Sequence, residues 1–168
     1  MARHLLHVGF PKCGSTYLKA WCHAHPQIGF SYSGLQGISH VNELGSPKQI
    51  KYDLRVTSCE AMATPYSEQD FDEERDNEQE FCNTLLGRRQ AIAENCASLF
   101  PEAEVLILTR AWPALARSSY SQYLRMPNIG QKLIGYDDYC RLFEFTSFSA
   151  VWDVSELINI WKSVFGSN

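Results

Sequence analysis

The chain opens with a short apolar run, His4 to Phe10, bounded by Pro11 and Gly14, and a run of this kind predicts a buried strand. From Ser15 to His25, Tyr17, Leu18, Trp21 and Cys22 recur at spacings of three and four, so a helix follows, stopped by Pro26. Residues 33 to 49 hold four glycines or prolines and keep no period, which predicts a loop-rich connection. IKYDLRVTS, Ile50 to Ser58, alternates in part and predicts a second strand. Phe81 to Phe100 returns to helical spacing, with Leu85, Ile92, Cys96 and Leu99 on one side. EVLILT, Glu104 to Thr109, predicts a buried strand. Pro113 suits the first turn of a helix ending near Leu124, and two more helices are expected near 135–147 and 153–165. Almost wholly apolar strands alternating with helices indicate a parallel sheet covered on both faces. The expected fold is α/β: a three-layer, P-loop-like parallel sheet flanked by helices, in one domain spanning 1–168.

Composition narrows this picture only a little. At 168 residues, 45% apolar and 20% charged, the chain has the length and balance of one soluble globular domain. Its apolar stretches fall far short of a membrane span, and MARHLLHVGF lacks the apolar core and cleavage site of a signal peptide, so a cytoplasmic protein without membrane insertion is expected. Six scattered cysteines, without a C-x-x-C pair, read as reduced, small apolar residues. His23 and His25 lie two apart, on different sides of a helix, a poor arrangement for a metal.

Charge is more informative. The net charge of -4 conceals a segment, SEQDFDEERDNEQE at 67–80, with eight acidic groups and one arginine, leaving about +3 on the remainder. That remainder suits an anionic ligand. A nucleic-acid polymer is not expected, because no basic stripe with interleaved aromatics appears. The acidic segment reads as a solvated loop or helix start.

Chemistry concentrates in HVGFPKCGSTYL, residues 7 to 18. Gly9, Gly14, Ser15 and Thr16 echo the phosphate loop G-x-x-x-x-G-K-[ST], but Ser15 follows the second glycine and the lysine, Lys12, precedes it. Strand, glycine turn and helix aim backbone N–H groups and the positive end of the helix dipole at one point, where Ser15, Thr16 and Lys12 add hydroxyls and a charge. The bland alternative is a tight connection with a serine cap. The lysine approaches from the incoming loop, and EVLILT ends in Thr109-Arg110 rather than an acidic residue. A metal-independent, arginine-assisted anion site therefore fits better than an ATPase.

HVGFPKCGSTYL resembles the 5′-phosphosulfate loop of the sulfotransferases, P-K-x-G-[ST]-T, and EVLILTRAWPALARSSYSQYL at 104–124 resembles the same family's 3′-phosphate segment. RSSYSQYLR and ELINIWKSVFG also look like bacterial members. The resemblance implies transfer of a sulfuryl group from 3′-phosphoadenylyl sulfate (PAPS) to a hydroxyl or amine on a small-molecule or carbohydrate acceptor, releasing 3′,5′-adenosine bisphosphate (PAP), with no metal. It implies a nucleotide site of Pro11, Lys12, Cys13, Gly14, Ser15, Thr16 and Tyr17, completed by Arg110 and Ser118. Lys12, Ser15, Thr16 and the loop amides would stabilise charge on the leaving phosphate. Tyr17 stands where the family often stacks an aromatic on adenine; as the first apolar residue of a helix it suits core packing nearly as well.

The acceptor must lose a proton, and the family uses His or Glu for this. Glu60, past the second strand in VTSCEAM, is the first candidate; Glu43 is the second and His40 the third. Cys13 replaces a small polar residue; a helix N-terminus lowers a thiol pKa, so it is either reactive or a passive substitution. The family usually continues through another strand and, in some members, a basic glycine-containing segment, so part of the fold is expected to be missing after WKSVFGSN. The rival functions are a P-loop nucleotide kinase and a non-catalytic PAP- or anion-binding module.

Overall fold

The computed structural model describes residues 3–32, 52–65, 78–125, 135–142 and 152–166. Four strands form an all-parallel sheet in the order β2-β3-β1-β4. These are β1 (Arg3–His7), β2 (Ile28–Tyr32), β3 (Leu54–Ser58) and β4 (Glu104–Leu106). In the register, Leu5 lies beside Val56 and Glu104, and Leu6 beside Thr57 and Val105. The helices among the described residues are α1 (Ser15–Ala24), α2 (Glu78–Leu99), α3 (Trp112–Tyr123), α4 (Tyr136–Leu142) and α5 (Val154–Phe165). The α/β expectation and the parallel sheet are what the structure has.

Successive side chains of a strand point to opposite faces, so Leu5 and Leu6 serve different layers. On Leu5's face, Cys22 of α1 packs with Ile28 and Val56, joined by Leu18, Phe30 and Leu54. On the other, Leu6 and Val8 meet Ile92, Ala93 and Cys96 of α2 and Leu157, Ile160 and Trp161 of α5. Helix α5 is set by its ends: the Asp153 carboxylate accepts from the backbone N–H of Ser155 at 2.7 Å, and Gly166 closes it with φ 77°.

Four elements differ from the sequence expectation. IGFSY forms strand β2, which the sequence reading missed. Ile50 to Ser58 narrows to Leu54–Ser58 among the described residues. Leu99, placed on the apolar side of its helix, is exposed, while Leu85, Ile92 and Cys96 are buried. Strand β4 is only half-buried rather than enclosed, because it lies at one end of the described strand order. The acidic segment falls mostly outside the described residues; its last three positions, 78–80, already belong to α2. No described helix is long and apolar enough to cross a membrane.

Candidate functional site

The strand order determines where chemistry can gather. From β1 the chain crosses to β2, past the position of β3; from β3 it crosses the other way, past β1, to β4. Connections leaving neighbouring strands β1 and β3 therefore diverge, and a crevice opens at their carboxyl ends. The glycine loop after β1 and the 3₁₀ turn after β3, Glu60–Met62, both stand there.

The loop is held by backbone pairing before it turns. Val8 N–H donates to the Leu106 carbonyl at 3.1 Å, Phe10 N–H to Leu108 at 2.8 Å, and Leu108 N–H to Gly9 at 2.8 Å. Phe10 is buried and stacks on Trp152 with centroids 5.7 Å apart. Gly9 has φ 117°, and a Cβ there would lie 2.8 Å from Cβ of Ala63, so the glycine lets the 3₁₀ turn approach the loop. Arg89 of α2, fully buried, locks that turn by donating Nε to the Ala63 carbonyl at 2.6 Å; its guanidinium lies 6.0 Å from the centre of the Phe10 ring.

Lys12 takes φ 66°, the left-handed region that costs a residue with a side chain about 1–2 kcal/mol. Gly14, at φ 88°, is the N-cap of α1, with no side-chain cap and no acidic residue in the first turn. The helix thus begins with its positive end uncompensated from within, and alternating turn conformations of this kind aim successive N–H groups at an anion.

Glu60 meets this loop directly. Its Oε1 accepts a hydrogen bond from Ser15 Oγ and another from Lys19 Nζ, the latter at 2.9 Å. The Lys19 and Glu60 side chains are only 17% and 13% exposed, so this ion pair is largely withdrawn from water. Beneath it lies His7, fully buried, with Nδ1 2.7 Å from Ser58 Oγ; Nε2 has no hydrogen-bond partner among the described residues. Burial holds the His7 imidazole below its ordinary pKa, the Glu60 charge opposing this and the Lys19 charge adding to it.

The second signature reaches the first. Arg110, beyond β4, donates Nη1 to the Lys12 carbonyl at 3.2 Å. Ser118 is half-buried on α3, about 9 Å of helix rise from its first residue, Trp112, and has no side-chain hydrogen bond among the described residues. Pro11, Lys12 and Cys13 are half-buried, and Gly14 and Thr16 are exposed. Tyr17 is 81% exposed, which rules out core packing for it. Cys13 goes against the reactive reading: burial pushes its thiol pKa up, more than the nearby Arg110 charge draws it down. Glu43 and His40 lie outside the described residues.

Sequence reasoning nominated Glu60 as base and Arg110 for the 3′-phosphate but passed over Lys19, His7 and Arg89. Lys19 carried one signal, its position four residues after Ser15, which puts both on one face of a helix. The others carried none: His7 reads as a polar interruption of an apolar strand, and Arg89 as one of two adjacent arginines on a helix. No family model, no curated protein and no solved structure matches the chain.

Proposed function

We propose that the chain binds PAPS in a P-loop-like cradle at the carboxyl edge of the sheet and transfers its sulfuryl group to a hydroxyl or amine acceptor. The observation that carries this reading is the convergence of its two signatures, Arg110 donating to the carbonyl of Lys12 at 3.2 Å across a separation of 98 residues. PAPS, when bound, supplies the activated sulfuryl group and a phosphate leaving group. Lys12, Ser15, Thr16 and the amides at the start of α1 hold the phosphosulfate and stabilise charge on the leaving oxygen. Arg110, with Ser118 farther along α3, takes the 3′-phosphate. Glu60, whose turn packs against Gly9, accepts the acceptor's proton. The uncapped, acid-free start of α1 fits an anion of this class.

A second reading has one observation in its favour. Glu60 follows the strand beside β1 and binds loop Ser15. A carboxylate so placed serves a magnesium–nucleotide site, which would make the chain a P-loop kinase.

The test is PAP release from PAPS over a panel of hydroxyl and amine acceptors in EDTA, with ATP and Mg²⁺ in parallel. The proposal expects metal-free turnover lost in Lys12→Ala and Glu60→Gln. Turnover of ATP alone would favour the kinase, and PAP binding without turnover a non-catalytic module.

A further inference from the structure

We propose that Glu60 is the loop's own stand-in anion: it occupies Lys19 and Ser15 while the site is empty, and an incoming phosphate-type anion displaces it and frees its carboxylate. This deepens the nucleotide reading and rests on it for the identity of the natural anion, but not for the displacement.

The start of α1 calls for negative charge and has none of its own in the first turn. Ser15 and Lys19 are four residues apart on α1, and helical side chains lean toward the N-terminus, so Lys19 reaches back over Ser15. Both donate to the same oxygen, Glu60 Oε1, and among the described residues no other hydrogen bond reaches that carboxylate. Glu60 therefore uses the two donors best placed for a ligand oxygen at this helix end. It comes from the turn after β3 rather than from the loop, so its side chain can swing away without unwinding the loop.

The pair is poorly hydrated, and separating such a pair is costly unless another anion takes the vacated place. A phosphate-type anion offers Lys19 and Ser15 that replacement. The carboxylate that leaves becomes a proton acceptor only once the anion is seated, so the base is withheld from water until the donor is bound. His7, buried beneath, feels both charges. A permanent structural tie would use the same contacts, but would not exchange partners.

Calorimetry with inorganic pyrophosphate as the probe separates the two. Glu60→Gln keeps the side chain's shape and removes its charge, so it is expected to bind pyrophosphate about tenfold more tightly than the wild type. With Lys19→Met as the background, Glu60→Gln is expected to bring little or no gain over Lys19→Met alone, a non-additivity that follows if Glu60 competes with the anion for Lys19. Unchanged or weaker binding by Glu60→Gln, or none, overturns the proposal. Should that variant fail to fold, the ¹³Cδ resonance of Glu60 in the labelled wild-type protein decides: it moves on pyrophosphate addition if the carboxylate is displaced, and a stationary resonance overturns the idea. PAP then distinguishes the two readings. If PAP cannot compete with pyrophosphate on Glu60→Gln, the nucleotide reading falls and the displacement stands. If PAP binds wild type and Glu60→Gln equally, the displacement falls and the nucleotide reading stands.

Discussion

Substituting Gly9 by alanine tests the joint between the loop and the Glu60 turn. The backbone there has φ 117°, where a residue with a Cβ is strained by about 1–2 kcal/mol. The added methyl carbon would lie 2.8 Å from Cβ of Ala63, well inside ordinary carbon contact, and a tight 3.3 Å from the Glu60 carbonyl oxygen. The turn cannot slide away freely, because the buried Arg89 holds the Ala63 carbonyl at 2.6 Å. Forcing a methyl into such a space costs about 1–3 kcal/mol, so the expected loss of stability is about 2–4 kcal/mol. Urea unfolding reads it as a lower midpoint at unchanged slope, and heating as a fall of about 2–4 °C per kcal/mol for a domain of this size. Gly87 is the control: it is exposed on α2 and a Cβ there meets nothing within 4 Å. Gly87→Ala is expected to stabilise by about 0.5–1 kcal/mol. A loss below about 1 kcal/mol in Gly9→Ala would refute the close approach of loop and turn on which the site depends.

Two further predictions concern titration. Burial, with a smaller contribution from Arg55, lowers the His4 pKa from 6.5 to about 4, so between those values the unfolded chain binds the extra proton. His4 therefore contributes stability that is fully present above pH 6.5 and is lost as pH falls toward 4; for a half-exposed ring the loss is about 1–2 kcal/mol after allowing for solvent screening. Urea midpoints across that range should fall less steeply in His4→Gln than in the wild type, and equal slopes would refute the assignment. The raised thiol pKa of Cys13 predicts alkylation by iodoacetamide at pH 7.5 slower than in the unfolded chain, read by mass spectrometry; faster labelling would restore the reactive reading.

The sheet's two central strands and the loop between β1 and α1 were legible because their signals are local: apolar runs, glycine positions, helical spacing. Strand β2 was not. IGFSY carries a glycine and a serine among its five residues and lies at one end of the described strand order, so its pattern is too weak to separate from loop. Position at a strand's carboxyl end sufficed to nominate Glu60, and for Arg110 the end of EVLILT was joined by the resemblance to the 3′-phosphate segment. Lys19 could not be told from any solvated lysine on an amphipathic helix until β3 brought a carboxylate within 2.9 Å. His7 and Arg89 became notable only through burial, which depends on what packs over them. Tyr17 shows the converse: its place in an apolar pattern suited core packing, yet it is exposed.

The central claim is a metal-independent nucleotide site built on Lys12 and Arg110. Calorimetry of PAP in EDTA against ATP with Mg²⁺, on wild type and Lys12→Ala, tests it most directly. PAP is expected to bind without metal, about tenfold or more weakly in Lys12→Ala through loss of a charge-assisted hydrogen bond, and ATP to bind no more strongly. PAP affinity that Lys12→Ala leaves unchanged, or no PAP binding beside tight Mg²⁺–ATP, would contradict it.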